Sequence, residues 1–536
     1  MKGIYFEVVL EQLPRLLSLM DRNPSSATYG CFDRSFWHYK IVDFPCMRMQ
    51  EAALTLALLT KTKQNIINNS SLKELSKASI KFWKNNMASD GSASEWYPNE
   101  KSYVATAFSS YAVAAAAEVL NAKNEELIAA LRKSAKWLIG KTEEIAQNQQ
   151  SGAIAAILAI SKLADDPLLK KKAIWLLRDL GKKQTKEGWF SEYNGPDIGY
   201  LSLTVDYLAK SAKLLEGKEA GNAMQMAIKA SEFIKNFLHA DYTIGGEYCS
   251  RNTEYLIPSG FEALSAHSKS CAQISYFIRK ALKKRTIAGP YSLDDRYLAY
   301  NLYTYMEAAL AKGRKINKAQ VGLNSINFPE AMIYIRKTES HQIILNLAKG
   351  GSFALFLGKK TIRDSGLRFK SPYGFYTTGF LDYDNIAHVT KTKEKETFSA
   401  AGRCVSIKNQ LMTPAKHAAL RAFQMSAGKY LHISSLLKGK LRKALITSGK
   451  KSKFSYKRTI NLYKNSIEII DEIAPAQHIE EIFLGLKASE LYIPSAKFFN
   501  AADNQEFYKI KRHKENKITI IRTIKGRELG IKCQIQ

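Results

Sequence analysis

The spacing of apolar residues is helical in the first part of this chain. From Leu72 to Leu310, apolar side chains recur at positions i, i+3, i+4 and i+7 almost throughout, which is the spacing of one face of an α-helix. Residues 5–21 and the stretch from about Met47 to Leu59 show the same spacing. The pattern therefore predicts that the first part of the chain is all-helical.

The limits of individual helices can be predicted from their flanking residues. Asn124 precedes a helical segment that ends at Gly140, and Asp166-Pro167 opens another that ends at Gly181. Asn and Asp are preferred N-caps, Pro is favoured at the first helical position, and Gly is common after the last turn. These signals predict helices of about 12–18 residues that follow one another in pairs.

Long loops recur on alternate connections between these helices. This alternation predicts an (α/α) toroid, complete or incomplete, whose long loops meet at one end. A plain α-solenoid is the alternative, but solenoid repeats are shorter and their loops are less aromatic. We therefore expect residues 1–318 to form the toroid.

After Lys318 the apolar residues alternate with polar ones at a period of two. Gly350-Gly351 and Asp364-Ser365-Gly366 supply turn signals between these segments. Several short strands at this spacing predict an antiparallel β-sandwich over residues 319–536. The fold class is therefore α+β with two domains. The alternating segments are INFPEAMIYIRK, HQIILNLAKGGSFALFLG, RCVSIKNQLM, KYLHISSLL, FSYKRTINLYKNSIEIIDEI and NKITIIRTIKG.

The net charge of +31 is large and unevenly distributed. Lys and Arg outnumber Asp and Glu by 43 to 32 up to residue 320, and by 37 to 17 after it. Such an excess indicates an anionic neighbour, such as a polysaccharide, nucleic acid, lipid headgroup or ribosomal surface, or else a solvated Lys-rich face. Because no nucleic-acid recognition module is present, we expect no specific nucleic-acid partner.

The six cysteines are scattered without metal-type or disulfide-type spacing. Glu7 and Glu11 stand where a signal peptide needs an apolar run, so we expect reduced thiols and a cytoplasmic location. The longest apolar run, around Ala52 to Leu59, is shorter than the roughly 18 residues that span a bilayer, so we expect no transmembrane segment. No metal or other cofactor is predicted, and the oligomeric state is left open.

Four polar and aromatic loops each precede a predicted helix: residues 31–43, 90–103, 187–200 and 245–262. Loops on a rigid helical scaffold are common places for chemistry. Their recurrence predicts that they converge on one cleft, although each could be a plain helix connection whose aromatic rings fill a groove. Aromatic rings stack on sugars, while charged groups bind hydroxyls. The predicted sugar-binding side chains are Arg34, Trp37, Glu95, Trp96, Tyr97, Trp189, Glu192, Asp197, Arg251 and Asn252.

The toroid followed by a sandwich, with an Asp/Glu-Gly-x-x-x-Glu…Tyr loop at a helix start, resembles the heparinase II/III-like polysaccharide lyases and their uronyl C5-epimerase relatives. The resemblance implies an Asn, a Tyr, a His and often an Arg around a uronate. The matching positions are Asn148 in NQQSGAIAAIL and Tyr200 in EGWFSEYNGPDIGY. Where relatives often have Asn-His and Tyr-His pairs, this chain has Gln149 and Leu201, and its sandwich lacks their His-rich, metal-type loop.

The chemistry of such a site follows from the weak acidity of the uronate C5–H. A base removes this proton only if donors stabilise the enediolate, and Asn148, Arg251 and Asn252 are suitable donors. Tyr200 and Tyr255 are the candidate bases or acids, with His38 as a second proton carrier. Lyase and C5-epimerase share this first step. The expected partner is an anionic polysaccharide or a lipid-linked oligosaccharide of bacterial polysaccharide metabolism.

Two other functions are compatible with the sequence. Toroids also include inverting glycoside hydrolases, which need two carboxylates about 6.5–9.5 Å apart. The acids available for that role are Glu95, Glu192, Asp197, Glu254 and Glu262. A catalytically inactive glycan-binding or scaffold protein is the third hypothesis, because the usual His pairs are missing.

Overall fold

A computed structural model describes most of the chain. The predicted change of period after Lys318 and the predicted strand KYLHISSLL lie outside the described residues, as do residues 408–412 of RCVSIKNQLM. For residues 508–511 and 528–535, which include Cys533, only the backbone is described. The described ranges are residues 3–64, 66–314, 316, 324–358, 360–407, 413–429, 449–464, 466–484, 508–511, 516–525 and 528–535.

The first part of the described chain is helical throughout. A short 3-10 helix, Met47–Glu51, leads directly into α3, and another, Lys235–Phe237, follows α10. The α-helices are α1 Ile4–Leu19, α2 Arg34–Trp37, α3 Ala52–Leu59, α4 Asn69–Asn86, α5 Tyr103–Leu120, α6 Glu125–Ile139, α7 Gln147–Ala164, α8 Pro167–Lys182, α9 Ile198–Leu214, α10 Gly217–Ile234, α11 Ser259–Leu264, α12 Lys269–Lys284 and α13 Asp295–Leu310.

Six of these helices form a closed inner ring. In the order α3, α5, α7, α9, α11 and α13, each contacts the next, and α13 contacts α3. The outer helices α4, α6, α8, α10, α12 and α1 lie around them. The sequence reflects these positions, since α3 is buried at every residue whereas α6 buries one face. The domain is therefore an (α/α) toroid with six helices in each layer.

The predicted helix starts at Asn124 and Asp166 are present. The side chain of Asn124 accepts a hydrogen bond from the Leu127 amide, and that of Asp166 accepts one from the Leu169 amide. The helix that opens at Asp166 continues one residue past Gly181.

Helix α5 is long and apolar enough to cross a membrane, with a mean hydropathy of 1.3 over its 18 residues. The expectation that no stretch approaches this length was wrong here, because Thr106, Ser109, Ser110 and Tyr111 interrupt the apolar run in the sequence. The share of this helix that is buried inside the protein is 67%. Its apolar composition fits its place in the inner ring between α3 and α7.

All described strands pair antiparallel in two sheets. The first sheet has the order β1-β2-β3-β4-β5, and the second has the order β13-β12-β6-β7-β9-β10-β11-β14-β15, with β8 paired to β9. One further helix, α14 (Pro414–Met425), lies between β9 and β10. The strands are β1 Asn324–Phe328, β2 Ile333–Lys337, β3 Gln342–Asn346, β4 Ser352–Leu357, β5 Lys360–Asp364, β6 Arg368–Ser371, β7 Gly374–Thr377, β8 Ile386–Lys391, β9 Lys395–Ile407, β10 Lys451–Tyr463, β11 Ser466–Ala474, β12 Glu481–Leu484, β13 Tyr508–Lys511, β14 Ile518–Lys525 and β15 Glu528–Ile535.

The central strands of the first sheet, β2 to β4, are buried on both faces. Side chains such as Phe353 and Leu355 pack with Phe398 and other residues of the second sheet. Their neighbours along the strand, such as Ala354 and Phe356, belong to the core of the toroid. Because side chains alternate between the faces of a strand, this sheet separates the toroid from the second sheet. The expected sandwich is thus confirmed, and its first sheet packs directly on the helices.

Two arginines and two aspartates form a buried network in the sandwich. Arg458 Nε lies 2.5 Å from Asp471 Oδ1, and its Nη1 lies 2.9 Å from Asp364 Oδ1. Arg522 contacts the other oxygens of the same aspartates, at 2.5 and 2.6 Å. Burial alone would raise the pKa of Asp364, but the two guanidinium groups together keep that pKa well below its usual range.

Removing one member of this network leaves an uncompensated buried charge. We expect Arg458→Met to lower the free energy of unfolding by about 3–5 kcal/mol, measured by urea unfolding followed by circular dichroism. The control is Arg403→Met, because Arg403 is exposed and bonds only a backbone carbonyl in the described chain. Since the pKa of Asp364 is lowered on folding, its contribution is present at neutral pH and is lost below about pH 4. Equal stability of the two variants would contradict this assignment.

Candidate functional site

The Asp197 carboxylate connects two of the predicted loops. Asp197 is the N-cap of α9 and is 0% exposed. Its Oδ1 accepts a hydrogen bond from the Tyr200 amide at 3.2 Å, and its Oδ2 accepts one from the Arg251 amide at 2.9 Å. The Thr253 hydroxyl also donates to Oδ1. The loops at 187–200 and 245–262 therefore meet, and they bring Tyr200 and Arg251 into one site.

Arg251 is a buried arginine without a carboxylate partner in the described chain. Its side chain packs against Tyr193, with the guanidinium carbon 4.5 Å from the ring centroid. Arg251 is only 8% exposed, and its Nε and Nη1 have no hydrogen-bond partner among the described residues. A buried charge is costly unless it is paired. This guanidinium is therefore suited to bind an anionic ligand.

Four tyrosines surround this position: Tyr193, Tyr200, Tyr255 and Tyr297. The rings of Tyr193 and Tyr200 are 6.2 Å apart, and all four residues are half-buried. Burial raises the pKa of Tyr200 well above its ordinary value, and the nearby Tyr193 and Tyr297 add to this rise, while Arg251 opposes it. Burial likewise raises the pKa of Tyr255. Both phenols are therefore protonated at neutral pH.

Asn148 is bonded to Glu192 at the start of α7. The Asn148 amide donates to Glu192 Oε1 at 2.7 Å, and its side-chain Nδ2 donates to Oε2 at 2.5 Å. Glu192 is 0% exposed, and burial raises its pKa against the lowering effect of these bonds. Its backbone carbonyl accepts a bond from the Ser250 hydroxyl at 2.6 Å, which joins Asn148 to the Arg251 loop.

Three of the predicted sugar-binding side chains, Glu192, Asp197 and Trp189, are buried and bonded within the protein. The carboxylates of Glu192 and Asp197 accept hydrogen bonds from protein donors, so they orient Asn148, Tyr200 and Arg251. Trp189 is also buried, and its Nε1 donates to Glu187 at 2.9 Å. Glu187 in turn accepts backbone amides of residues 330 and 331, at the contact between toroid and sandwich. Trp189 therefore packs within the protein.

The loop at 90–103 exposes the side chain of Trp96 to solvent. Glu100 Oε2 accepts the amides of Glu95 and Trp96, at 2.9 and 2.8 Å, and closes a tight turn. Trp96 is 57% exposed, and the guanidinium of Arg296 lies 4.7 Å from its ring centroid. Tyr97 is half-buried. The Glu95 side chain is buried, and its Oε1 lies 3.6 Å from Arg48 Nη1.

The loop at 31–43 is less closely connected to these tyrosines. Trp37 Nε1 donates to the carbonyl of Leu19, and Arg34 donates to the Tyr39 hydroxyl. His38 is exposed, and its ring lies 5.0 Å from Trp37 and 4.9 Å from Tyr39. No contact described for His38 joins it to Tyr200 or Arg251, so its role as a second proton carrier stays a prediction.

The sandwich contributes directly to the Arg251 loop. Lys349, in the turn between β3 and β4, donates to the Cys249 carbonyl at 2.6 Å and also to Asn252 Oδ1. Asn346, the last residue of β3, donates to the Tyr248 carbonyl at 2.7 Å. Burial lowers the pKa of Lys349 to about 8. The oxygen of Asn252 is therefore engaged within the protein, and only its amide nitrogen remains for a ligand.

Sequence reasoning missed several residues at this end of the toroid. Arg296 and Tyr297 both lie in the first turn of α13, where SLDDRYLAY carries the same mixture of acid, base and aromatic residues as the four predicted loops. That mixture could have been used to predict Arg296 and Tyr297 as site residues. Arg48 lies within an apolar helix start, and Lys349 lies in the other domain, so no local pattern pointed to either. Among the described residues, no group of three His, Cys, Asp or Glu could hold a metal ion.

No protein-family model and no curated protein matches this sequence. Several solved structures have a similar fold. A xanthan lyase from Paenibacillus is 9% identical with a TM-score of 0.53, and the match covers 99% of this chain and 56% of that one. A Streptomyces coelicolor A3 chondroitin AC lyase, in complex with chondroitin sulphate, is 10% identical with a TM-score of 0.51, covering 90% and 67%. Heparinase III is 10% identical, with a TM-score of 0.47.

This chain thus spans little more than half the length of the xanthan lyase that it matches. At 9–10% identity the likeness is one of fold. The protein has the polysaccharide-lyase-like fold, a helical toroid followed by an antiparallel β-sandwich, as its resemblance to the heparinase II/III-like group implied.

Proposed function

We propose that this protein is an enzyme that acts on a uronate-containing polysaccharide by removing the C5 proton. The observation that supports this most strongly is Arg251, a buried guanidinium without a carboxylate partner in the described chain, surrounded by tyrosines. A uronate carboxylate is an anion that a guanidinium can bind in paired hydrogen bonds. The fold shared with polysaccharide lyases agrees with this assignment.

The site residues then have distinct roles. Arg251 binds the carboxylate, and Asn148 donates to it as negative charge develops on its oxygens. Tyr200, beside Arg251, takes the C5 proton as a phenolate. In a lyase the C4–O4 bond then breaks, Tyr255 gives its proton to O4, and a C4=C5 double bond forms. In an epimerase a second acid, for which Tyr255 is the candidate, gives a different proton to C5 from the opposite face, and the chain stays intact.

The hydrolase alternative receives no support from the acids that it requires. Glu254 lies 3.0 Å from Arg363, and Glu262 accepts a hydrogen bond from the Tyr5 hydroxyl at 2.8 Å. All five acids considered for this role are buried and engaged with protein groups: Glu95, Glu192, Asp197, Glu254 and Glu262. Such carboxylates are poorly placed to activate water at a sugar.

The first prediction concerns the two tyrosines. Tyr200→Phe and Tyr255→Phe keep the ring and remove the hydroxyl, so each should abolish formation of unsaturated uronate while saccharide affinity stays nearly unchanged. Appearance of solvent deuterium at C5 without chain cleavage would identify an epimerase. The control is Tyr373→Phe, because Tyr373 is exposed on the sandwich. Full activity of Tyr200→Phe would exclude this residue as the base.

The pH dependence follows from the raised pKa of Tyr200. Because the phenolate is the minor form at neutral pH, kcat/KM should increase about tenfold per pH unit from pH 7 to 9. The measurement is kcat/KM across this range in buffers of constant ionic strength. A flat profile in the unaltered protein would show that the base is not a phenol.

Arg251 should act mainly on binding. Arg251→Ala removes a charge-assisted contact of about 1.5–3 kcal/mol, which corresponds to a 10- to 150-fold weaker affinity for acidic oligosaccharide. Turnover should fall as well if this contact tightens as the enediolate forms. Calorimetry with an acidic oligosaccharide and its carboxyl-reduced form measures the effect, since the neutral form should bind both proteins alike. Unchanged affinity for the acidic form would argue against uronate recognition.

A further inference from the structure

Helix α14 lies between two strands of the sandwich in the sequence, but it contacts two loops of the toroid. Arg421 forms an ion pair with Asp43, in the connection that leads to α3. The Gln424 carbonyl accepts a hydrogen bond from Asn99 Nδ2 at 3.2 Å. Asn99 precedes α5, so the helix touches two of the loops that stand before inner helices. A helix inserted between β9 and β10 therefore lies at the edge of the proposed cleft.

The contact with Asn99 places α14 beside the Trp96–Arg296 pair. The turn closed by Glu100 contains both Trp96 and Asn99, three residues apart, and Asn99 has a left-handed backbone with φ of 56°. Arg296 stacks on Trp96 and forms no ion pair with a carboxylate in the described chain. Its Nη1 donates to the Glu95 carbonyl at 3.4 Å, and the nearby carboxylates of Asp33 and Glu95 help to raise its pKa. Helix α14, an exposed indole and a guanidinium therefore stand together.

The charged side chains of α14 are all positive. Residues 413–429 include Lys416 and Arg421 and contain no Asp or Glu. Positions 413–419 are all exposed, and Gln424 is the buried residue of the helix. An isolated helix of about 12 residues is marginal in water, and burial contributes little to this one. Lys416 is exposed on this helix, whereas Arg421 is half-buried and paired with Asp43. The high exposure of α14 sets it apart from the packed helices of the toroid.

We propose that α14, together with Trp96 and Arg296, forms an outer subsite that binds sugars beyond the reacting uronate, so that the substrate is a long polyanionic glycan. This inference rests on the proposed function, because it needs an acidic sugar bound at Arg251. Tyr297 follows Arg296 in sequence and is close enough to Tyr200 to raise the pKa of that phenol. Tyr297 therefore connects the two parts of the cleft. The indole stacks on a sugar face, while Arg296, Lys416 and Arg421 attract acid groups.

The test compares affinity with glycan length. Chondroitin sulphate oligosaccharides and oligogalacturonates, from disaccharide to dodecasaccharide, are titrated by calorimetry into the full chain and into Lys416→Ala/Arg421→Ala. The variant should bind the shortest oligosaccharides as the unaltered protein does, and the longest about tenfold more weakly. Its affinity for long chains should also depend less on salt. Trp96→Ala should weaken binding of the same long chains.

Two controls separate this effect from folding and from bulk charge. Lys171→Ala/Lys172→Ala removes two exposed charges from the outer helix α8 and should leave affinity unchanged at every length. Asp43→Asn frees Arg421 from its ion pair, so it should preserve or strengthen long-chain binding. A merely structural role for this ion pair predicts the opposite, a loss of affinity in Asp43→Asn.

The outcomes distinguish this inference from the proposed function. If the α14 variant binds every length as the unaltered protein does, or weakens all lengths equally, the outer subsite is excluded while the uronate site stands. If none of the acidic oligosaccharides binds the unaltered protein, both proposals fail. Tighter binding of oligothymidylate than of a glycan of equal charge, lost in the α14 variant, would assign this surface to nucleic acid.

Discussion

The relative position of Tyr200 and Arg251 depends on one buried carboxylate. Asp197 has no contact with solvent, and its two oxygens are satisfied by three backbone amides, those of Tyr200, Arg251 and Thr253, and by the Thr253 hydroxyl. A buried carboxylate is tolerated only when its oxygens accept enough hydrogen bonds. Each loop therefore supplies a donor that the other cannot replace. The N-cap of α9 fixes the start of that helix and the Arg251 loop with the same charge.

The sandwich completes this arrangement from the other side. Four groups of the Arg251 loop, the carbonyls of residues 247, 248 and 249 and the Asn252 side chain, accept hydrogen bonds from Ser352, Asn346 and Lys349. Arg363 of β5 also pairs with Glu254, close to the same loop. The first sheet is buried against the toroid on one face, so these donors have little freedom to move. The two domains therefore form the site jointly, although only the toroid carries the proposed catalytic groups.

The fold could be predicted because it depends on local periodicity and capping. The change of period separates toroid from sandwich, and Asn124 and Asp166 cap helices where the sequence predicts. The site could be predicted only in part. Glu192 and Asp197 were predicted from their residue type, and both lie beside the candidate site residues. Whether such a carboxylate faces a sugar or a backbone amide depends on tertiary contacts, which the local sequence does not show. Lys349 acts across 97 residues of sequence, and no local pattern encodes such a contact.

The buried arginines differ in whether protein carboxylates compensate their charge, and this difference is why function is assigned to Arg251. In the sandwich, Arg458 and Arg522 share two aspartates, so each guanidinium is compensated by protein charge. Arg251 is buried to a similar degree, but in the described chain it has an aromatic ring beside it and no carboxylate. Breaking a buried ion pair costs about 3–5 kcal/mol, and burying a guanidinium without any partner carries a penalty of the same kind. A stable fold accepts this cost more readily where a ligand supplies the missing charge. The difference between these arginines, more than the shared fold, is what favours an anionic substrate at this end of the toroid.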